Sequence, residues 1–192
     1  AELLFGKFND KEKFLLAGVK VKLDRNWKIY WKNPGEAGLP PKIMFNELNN
    51  VSNVDLLFPE PKSFKFFNID TFGYEKEIIF PLKIYFENSD NLIFGDLNFN
   101  AQICNKICIP IEKNFNINYF PKNRSVLNNY LEINDALRKV PKLYDLQSGF
   151  FKNIEIDNNY VSFYLTRPIS SFRMIVENKD NFIFPQSYQT YK

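Results

Sequence analysis

The chain contains no histidine. That absence removes Ser-His-Asp and Cys-His nucleophiles, imidazole general bases and His-ligated zinc from the chemistry these residues can perform by themselves. Glycine and proline number only 7 and 11, which excludes collagen-like and low-complexity sequence. No apolar run approaches the roughly 18 residues that a membrane-spanning helix needs. There is no dense block of lysine and arginine, and a net charge of +3 is too mild to argue for nucleic acid. Residues 1–10 lack a basic flank followed by an apolar stretch, so a secretory signal is expected to be absent or already removed.

What is abundant is aromatic. Twenty-one Phe and ten Tyr (21 and 10 of 192 residues) favour strands over helices and argue against disorder. Ala17, Val19, Val21 and Leu23 alternate with Gly18, Lys20, Lys22 and Asp24, and Trp27, Ile29 and Trp31 resume the alternation after a turn. Residues 33–41 then form a Pro- and Gly-rich loop. Short strands are predicted over 43–45, 54–58, 78–86, 92–103 and from 107 onward, with an aromatic-rich loop over 62–76. Short strands at this spacing predict an all-β, immunoglobulin-like β-sandwich over residues 1–121.

Leu127, Tyr130, Leu131, Asp135, Leu137 and Arg138 follow helical spacing, with Ser125 as the expected N-cap and Pro141 as the stop. This predicts a short helical spacer over 122–147. Strand patterns at 153–157 and 160–166 flank Asn158-Asn159, a hairpin signal, and two more follow at 172–177 and 181–184. They predict a second, smaller and incomplete β-unit over 148–192.

The two cysteines carry most of the chemistry. Leu97, Phe99, Ala101 and Ile103 share one parity, and Asn98, Asn100, Gln102 and Cys104 the other. In an unbulged strand Cys104 therefore lies on the polar face. After Asn105-Lys106-Ile107 the apolar parity passes to Ile107, Ile109 and Ile111, which leaves Cys108 on the polar side too. Both sulfurs are expected on the solvent side at the mouth of a hairpin, a geometry that brings their Cβ atoms within disulfide range.

Three readings of this pair stay open. A structural disulfide closing so short a loop constrains the unfolded chain by only about 2 kcal/mol. An exposed, tightly closed disulfide instead exchanges readily with an attacking thiolate. A Cys-x3-Cys dithiol can also hold Cu(I), although Met44 and Met174 are the only thioethers and both sit in strand-like segments. Structural zinc is disfavoured, since two cysteines fill half a shell.

The segments W-K-I-Y-W-K-N-P-G-E-A-G-L-P-P (27–41), F-P-E-P-K-S-F (58–64), T-F-G-Y-E (71–75) and C-N-K-I-C-I-P (104–110) occur in order. Together they resemble the N-terminal periplasmic domain of the DsbD/ScsB thiol:disulfide interchange proteins, over most of residues 15–192. The resemblance implies an immunoglobulin-like domain with a redox-active pair, here Cys104 and Cys108, and no bound cofactor. It implies a periplasmic location. It also implies membrane-embedded and thioredoxin-like thiol donors on one side and oxidised periplasmic proteins on the other. Of the two cysteines it favours Cys108 as the one that bonds to the partner.

The family covers its disulfide with an aromatic cap loop. The matching stretch is 69–75, which makes Phe72 and Tyr74 the cap candidates. Tyr30 matches a tyrosine beside the disulfide. Two departures stand out. The better-known DsbD branch has a wider Cys spacing, so C-N-K-I-C-I-P is similar to the ScsB type, and Thr71 stands where that branch has its cap phenylalanine. Lys106, between the sulfurs, is either a cation that favours a thiolate or a solvated turn residue. Phe72, Tyr74 and Tyr30 have core packing as their alternative role. The rival from another class is a non-catalytic binding module whose disulfide only pins a hairpin.

Overall fold

The computed structural model describes residues 1–35, 37–66, 69–120, 129–142, 149, 151–157 and 161–167. Among the described residues, ten strands and one helix lie in a first compact unit, residues 1–141, and residues 142–192 form a second. In the first, β1 (Glu2–Asn9), β2 (Phe14–Lys22), β8 (Glu77–Phe86) and β5 (Val51–Leu56) form an antiparallel sheet in the order β1-β2-β8-β5. The other sheet runs β10 (Cys108–Tyr119), β9 (Ile93–Cys104), β3 (Lys28–Gly35), β7 (Ile69–Glu75) and β6 (Lys62–Phe66), with β4 (Lys42–Asn49) also paired to β9.

The two sheets pack face to face. Leu15, Ala17 and Val19 of β2 and Phe80, Leu82 and Ile84 of β8 are fully enclosed, as are Ile29, Leu97 and Phe99 of the opposing sheet. Rings lock the layers: Phe80 lies 5.3 Å from Tyr74 and 6.0 Å from Phe99, centroid to centroid. Each large apolar side chain so enclosed contributes about 1.5–3 kcal/mol. The architecture is the all-β, immunoglobulin-like sandwich that the strand spacing implied.

Two strands lie where a loop was expected. Residues 62–66 and 69–75 are β6 and β7, paired antiparallel from Lys62↔Gly73 onward. Pro59 and Pro61 mask the signal, because they punctuate the chain just ahead of β6 without belonging to it. Strand β1 also escaped the period-two pattern, since both its faces are covered. Leu4 packs toward the helix, while Phe5 stacks on Tyr119 at 4.9 Å.

The helix α1 (Tyr130–Arg138) is the second departure. It is not a detached spacer: Ile133 is fully buried in a cluster with Leu4, Phe14, Leu16 and Ile79, on the outer face of the four-stranded sheet. A Cβ on Gly18 would sit 2.9 Å from Ile79 and 3.3 Å from Ile133, so the absence of a side chain there is what lets the helix approach. Lys20 Nζ donates to Glu132 Oε2 at 2.6 Å and ties the helix to β2. Asn129 occupies the N-cap, and the expected cap, Ser125, lies outside the described residues. Ile133→Val is expected to lower unfolding stability by about 0.5–1.5 kcal/mol in urea titration, as for other enclosed methylene deletions; a loose spacer would show no change.

In the second unit, β11 (Phe151–Ile156) and β12 (Val161–Leu165) pair antiparallel. The strands expected at 172–177 and 181–184 lie outside the described residues.

Candidate functional site

Cys104 ends β9 and Cys108 opens β10. They are directly opposite in the register, 4.1 Å apart at Cα, and joined by a disulfide. The three-residue link is closed by the Asn105 amide, which donates to the Ile107 carbonyl at 3.0 Å. The hairpin alternation runs as read: Ile93, Leu97, Phe99 and Ala101 point inward, and Cys104 falls on the outer face.

The two cysteines differ sharply in exposure, contrary to the expectation that both face solvent. Cys104 is 0% exposed, whereas Cys108 is exposed. The cause is their place in the sheet. Cys108 lies on the outermost strand. Cys104 lies one strand in, flanked on its other side by Lys28 of β3. Beside it the outer face is roofed. Tyr30, two residues along β3 from Lys28, is 0% exposed, and the Phe64 ring of β6 lies 6.5 Å from it. The loop at Gly38 closes over the same tyrosine: a Cβ there would fall 2.4 Å from the Tyr30 ring, and its φ of +104° suits glycine.

Tyr30 therefore stands on the sulfur side of the sheet. Its hydroxyl is buried with no hydrogen-bond partner among the described residues, and burial pushes its pKa up. Phe72 and Tyr74 do not share that side. Tyr74 pairs with Ile29 in the register and faces the core, where its hydroxyl donates to the Pro59 carbonyl at 2.7 Å. Phe72 has the same parity and meets Trp31 edge-on at 6.4 Å. Both are enclosed on the face opposite the disulfide and do not cover it. The aromatic that joins Tyr30 on the sulfur side, among the described residues, is Phe64. Its signal was its parity with Lys62, which pairs through Gly73 to Tyr30.

Lys106 is exposed in the link. The cation in line with the sulfurs is Lys28. Successive register pairs place Cys108, Cys104, Lys28 and Glu75 in one row across four strands, all on one face. Lys28 Nζ lies 3.8 Å from Glu75 Oε1 and 4.7 Å from the Phe64 ring centre. Ile107 and Ile109, expected inward, are 64% and 39% exposed. The inner face is left open at this end of the hairpin, where Ile103, opposite Ile109, is itself only half-buried. Among the described residues no three metal-ligating side chains cluster.

The N-terminal family model of the thiol:disulfide interchange protein DsbD matches residues 7–118. The chain belongs to that family. The crystal structure of the N-terminal periplasmic domain of ScsB from Proteus mirabilis is similar at 25% identity and a TM-score of 0.58, over 79% of this chain and 56% of that one. This chain thus spans a little over half the length of that ScsB domain. The reduced N-terminal domain of DsbD from Neisseria meningitidis aligns at 14% identity and a TM-score of 0.33, over 60% of this chain and 85% of that one. No curated protein matches. The chain's paired cysteines are Cys104 and Cys108.

Proposed function

We propose that the domain is a two-electron carrier working in the periplasm. It would accept electrons from a membrane-embedded or thioredoxin-like thiol donor and pass them to oxidised periplasmic proteins. The observation that carries this reading is the asymmetry of the pair, one cysteine exposed at a sheet edge and the other enclosed. A donor thiolate attacks Sγ of Cys108. The Cys104–Cys108 bond breaks, a donor–Cys108 mixed disulfide forms, and Cys104 leaves as a thiolate. The donor's second thiolate then attacks its own sulfur in that mixed disulfide. This releases Cys108, and the donor departs oxidised.

Discharge is the reverse. The Cys108 thiolate attacks the disulfide of an oxidised protein, and Cys104 then attacks Cys108 Sγ, which restores the original bond and frees the reduced protein. No cofactor enters either half. Tyr30, Phe64 and the Gly38 loop limit access to Cys104, so that exchange runs through Cys108. Exposed Ile107 and Ile109 offer an apolar rim for a docking partner.

The test is trapping in a periplasmic extract. Cys104→Ala, which keeps the partner-bonding sulfur and loses the resolving one, is expected to collect mixed disulfides that dithiothreitol releases. Cys108→Ala is expected to collect none. Equal absence from both variants contradicts the carrier role and favours a binding module with a structural disulfide.

A further inference from the structure

When Cys108 is attacked, the charge that appears inside the protein is on Cys104, whose side chain has no solvent exposure. A thiolate there needs a counter-charge, because an enclosed anion without a partner is strongly disfavoured. We infer that Lys28 supplies it: the ammonium is held in reserve by Glu75 and moves to Cys104 as the disulfide opens. This rests on the exchange reading above and adds a positioning residue to it.

The register carries the inference. Lys28 is directly opposite Cys104 on β3 and directly opposite Glu75 on its other side. Directly opposed residues in an antiparallel sheet have Cβ atoms about 4.5–5.5 Å apart. A four-carbon lysine stem rooted between the two reaches either neighbour without moving the backbone. In the disulfide form Cys104 is neutral, and the ammonium turns to Glu75 at 3.8 Å, over the Phe64 ring. That distance is long for a charge-assisted hydrogen bond, so little is lost on leaving it. Once Cys104 is a thiolate, both sides of Lys28 are anionic.

Among the described residues, the charged or titratable groups nearest Lys28 on this face are not placed to substitute for it. Tyr30 is a buried phenol. Lys62, in the row of Tyr30, and Lys106 in the link are exposed. Lys42 and Glu112 share the row of Asn100, four residues back along β9.

The experiment uses the full chain with Cys108→Ala, so that Cys104 is the lone thiol, and follows thiolate absorbance against pH. K28M is expected to raise the titration midpoint by about one pH unit or more, the size of effect an adjacent opposite charge produces. K28R is expected to restore most of it, and E75Q to lower the midpoint by freeing the ammonium. Should K28M not fold, E75Q decides by itself, and a midpoint unmoved or raised in E75Q overturns the inference. An unmoved midpoint in K28M overturns it as well. Exchange of the two-cysteine parent with reduced thioredoxin is measured in parallel. If that exchange is intact while the midpoint stays put, Lys28 alone is excluded; if it is missing while the midpoint moves, the carrier reading fails instead.

Discussion

Cys104→Ala and Cys108→Ala are expected to differ by at least about a hundredfold in their rate of reaction with a bulky aromatic disulfide, Cys108 in the first variant being the faster thiol. The factor corresponds to a local opening of roughly 3 kcal/mol needed to expose an enclosed group. Cys108 begins the outermost strand and is open to solvent, whereas Cys104 is enclosed between β10 and β3. The same difference makes attack on the intact disulfide one-sided. A reagent that meets Cys108 first always leaves Cys104 as the internal thiolate, so each mixed disulfide has its resolving sulfur beside it, 4.1 Å away at Cα. Rates within a factor of a few of each other, read by release of the aromatic thiol, would contradict this.

Gly38→Ala is expected to cost about 2–6 kcal/mol, the sum of a left-handed backbone imposed on alanine and an overpacked contact. Gly38 has φ +104°, and its added methyl would fall 2.4 Å from the Tyr30 ring. Neither partner has an easy escape. Tyr30 is fully buried, with Phe64 on one side and the sheet beneath it. Relief must come from lifting the loop, which opens the sulfur side of the sheet. The variant should therefore unfold at lower urea and, below its transition, have its disulfide reduced faster by a small thiol. Parental stability together with a parental reduction rate would mean that the loop does not guard Cys104.

Most of the scaffold was legible because a half-buried strand writes its orientation into alternate residues. Leu97, Phe99 and Ala101 against Asn98, Asn100 and Gln102 placed Cys104 on the outer face correctly. What parity cannot convey is whether a face is covered. Tyr30 and Phe64 are distant in sequence from Cys104, and only the pairing of β3 with both β9 and β7 brings them to its side. The same limit explains Phe72 and Tyr74. Their alternation is visible, yet which face they take depends on the register of β7 against Ile29 and Tyr30. The role of Lys28 is not legible along the chain for a related reason. Lys106 is near the sulfurs along the chain, but Lys28 is the residue directly opposite Cys104 across the sheet.

The most direct measurement is the reduction potential of the Cys104–Cys108 pair, taken by equilibrating the full chain with thioredoxin and counting free thiols. A carrier must lie within reach of thioredoxin-like donors, so a potential above about −300 mV, with reversible interconversion of both forms, is expected. A pair that remains oxidised below about −300 mV would be a structural staple, and the carrier function would be wrong.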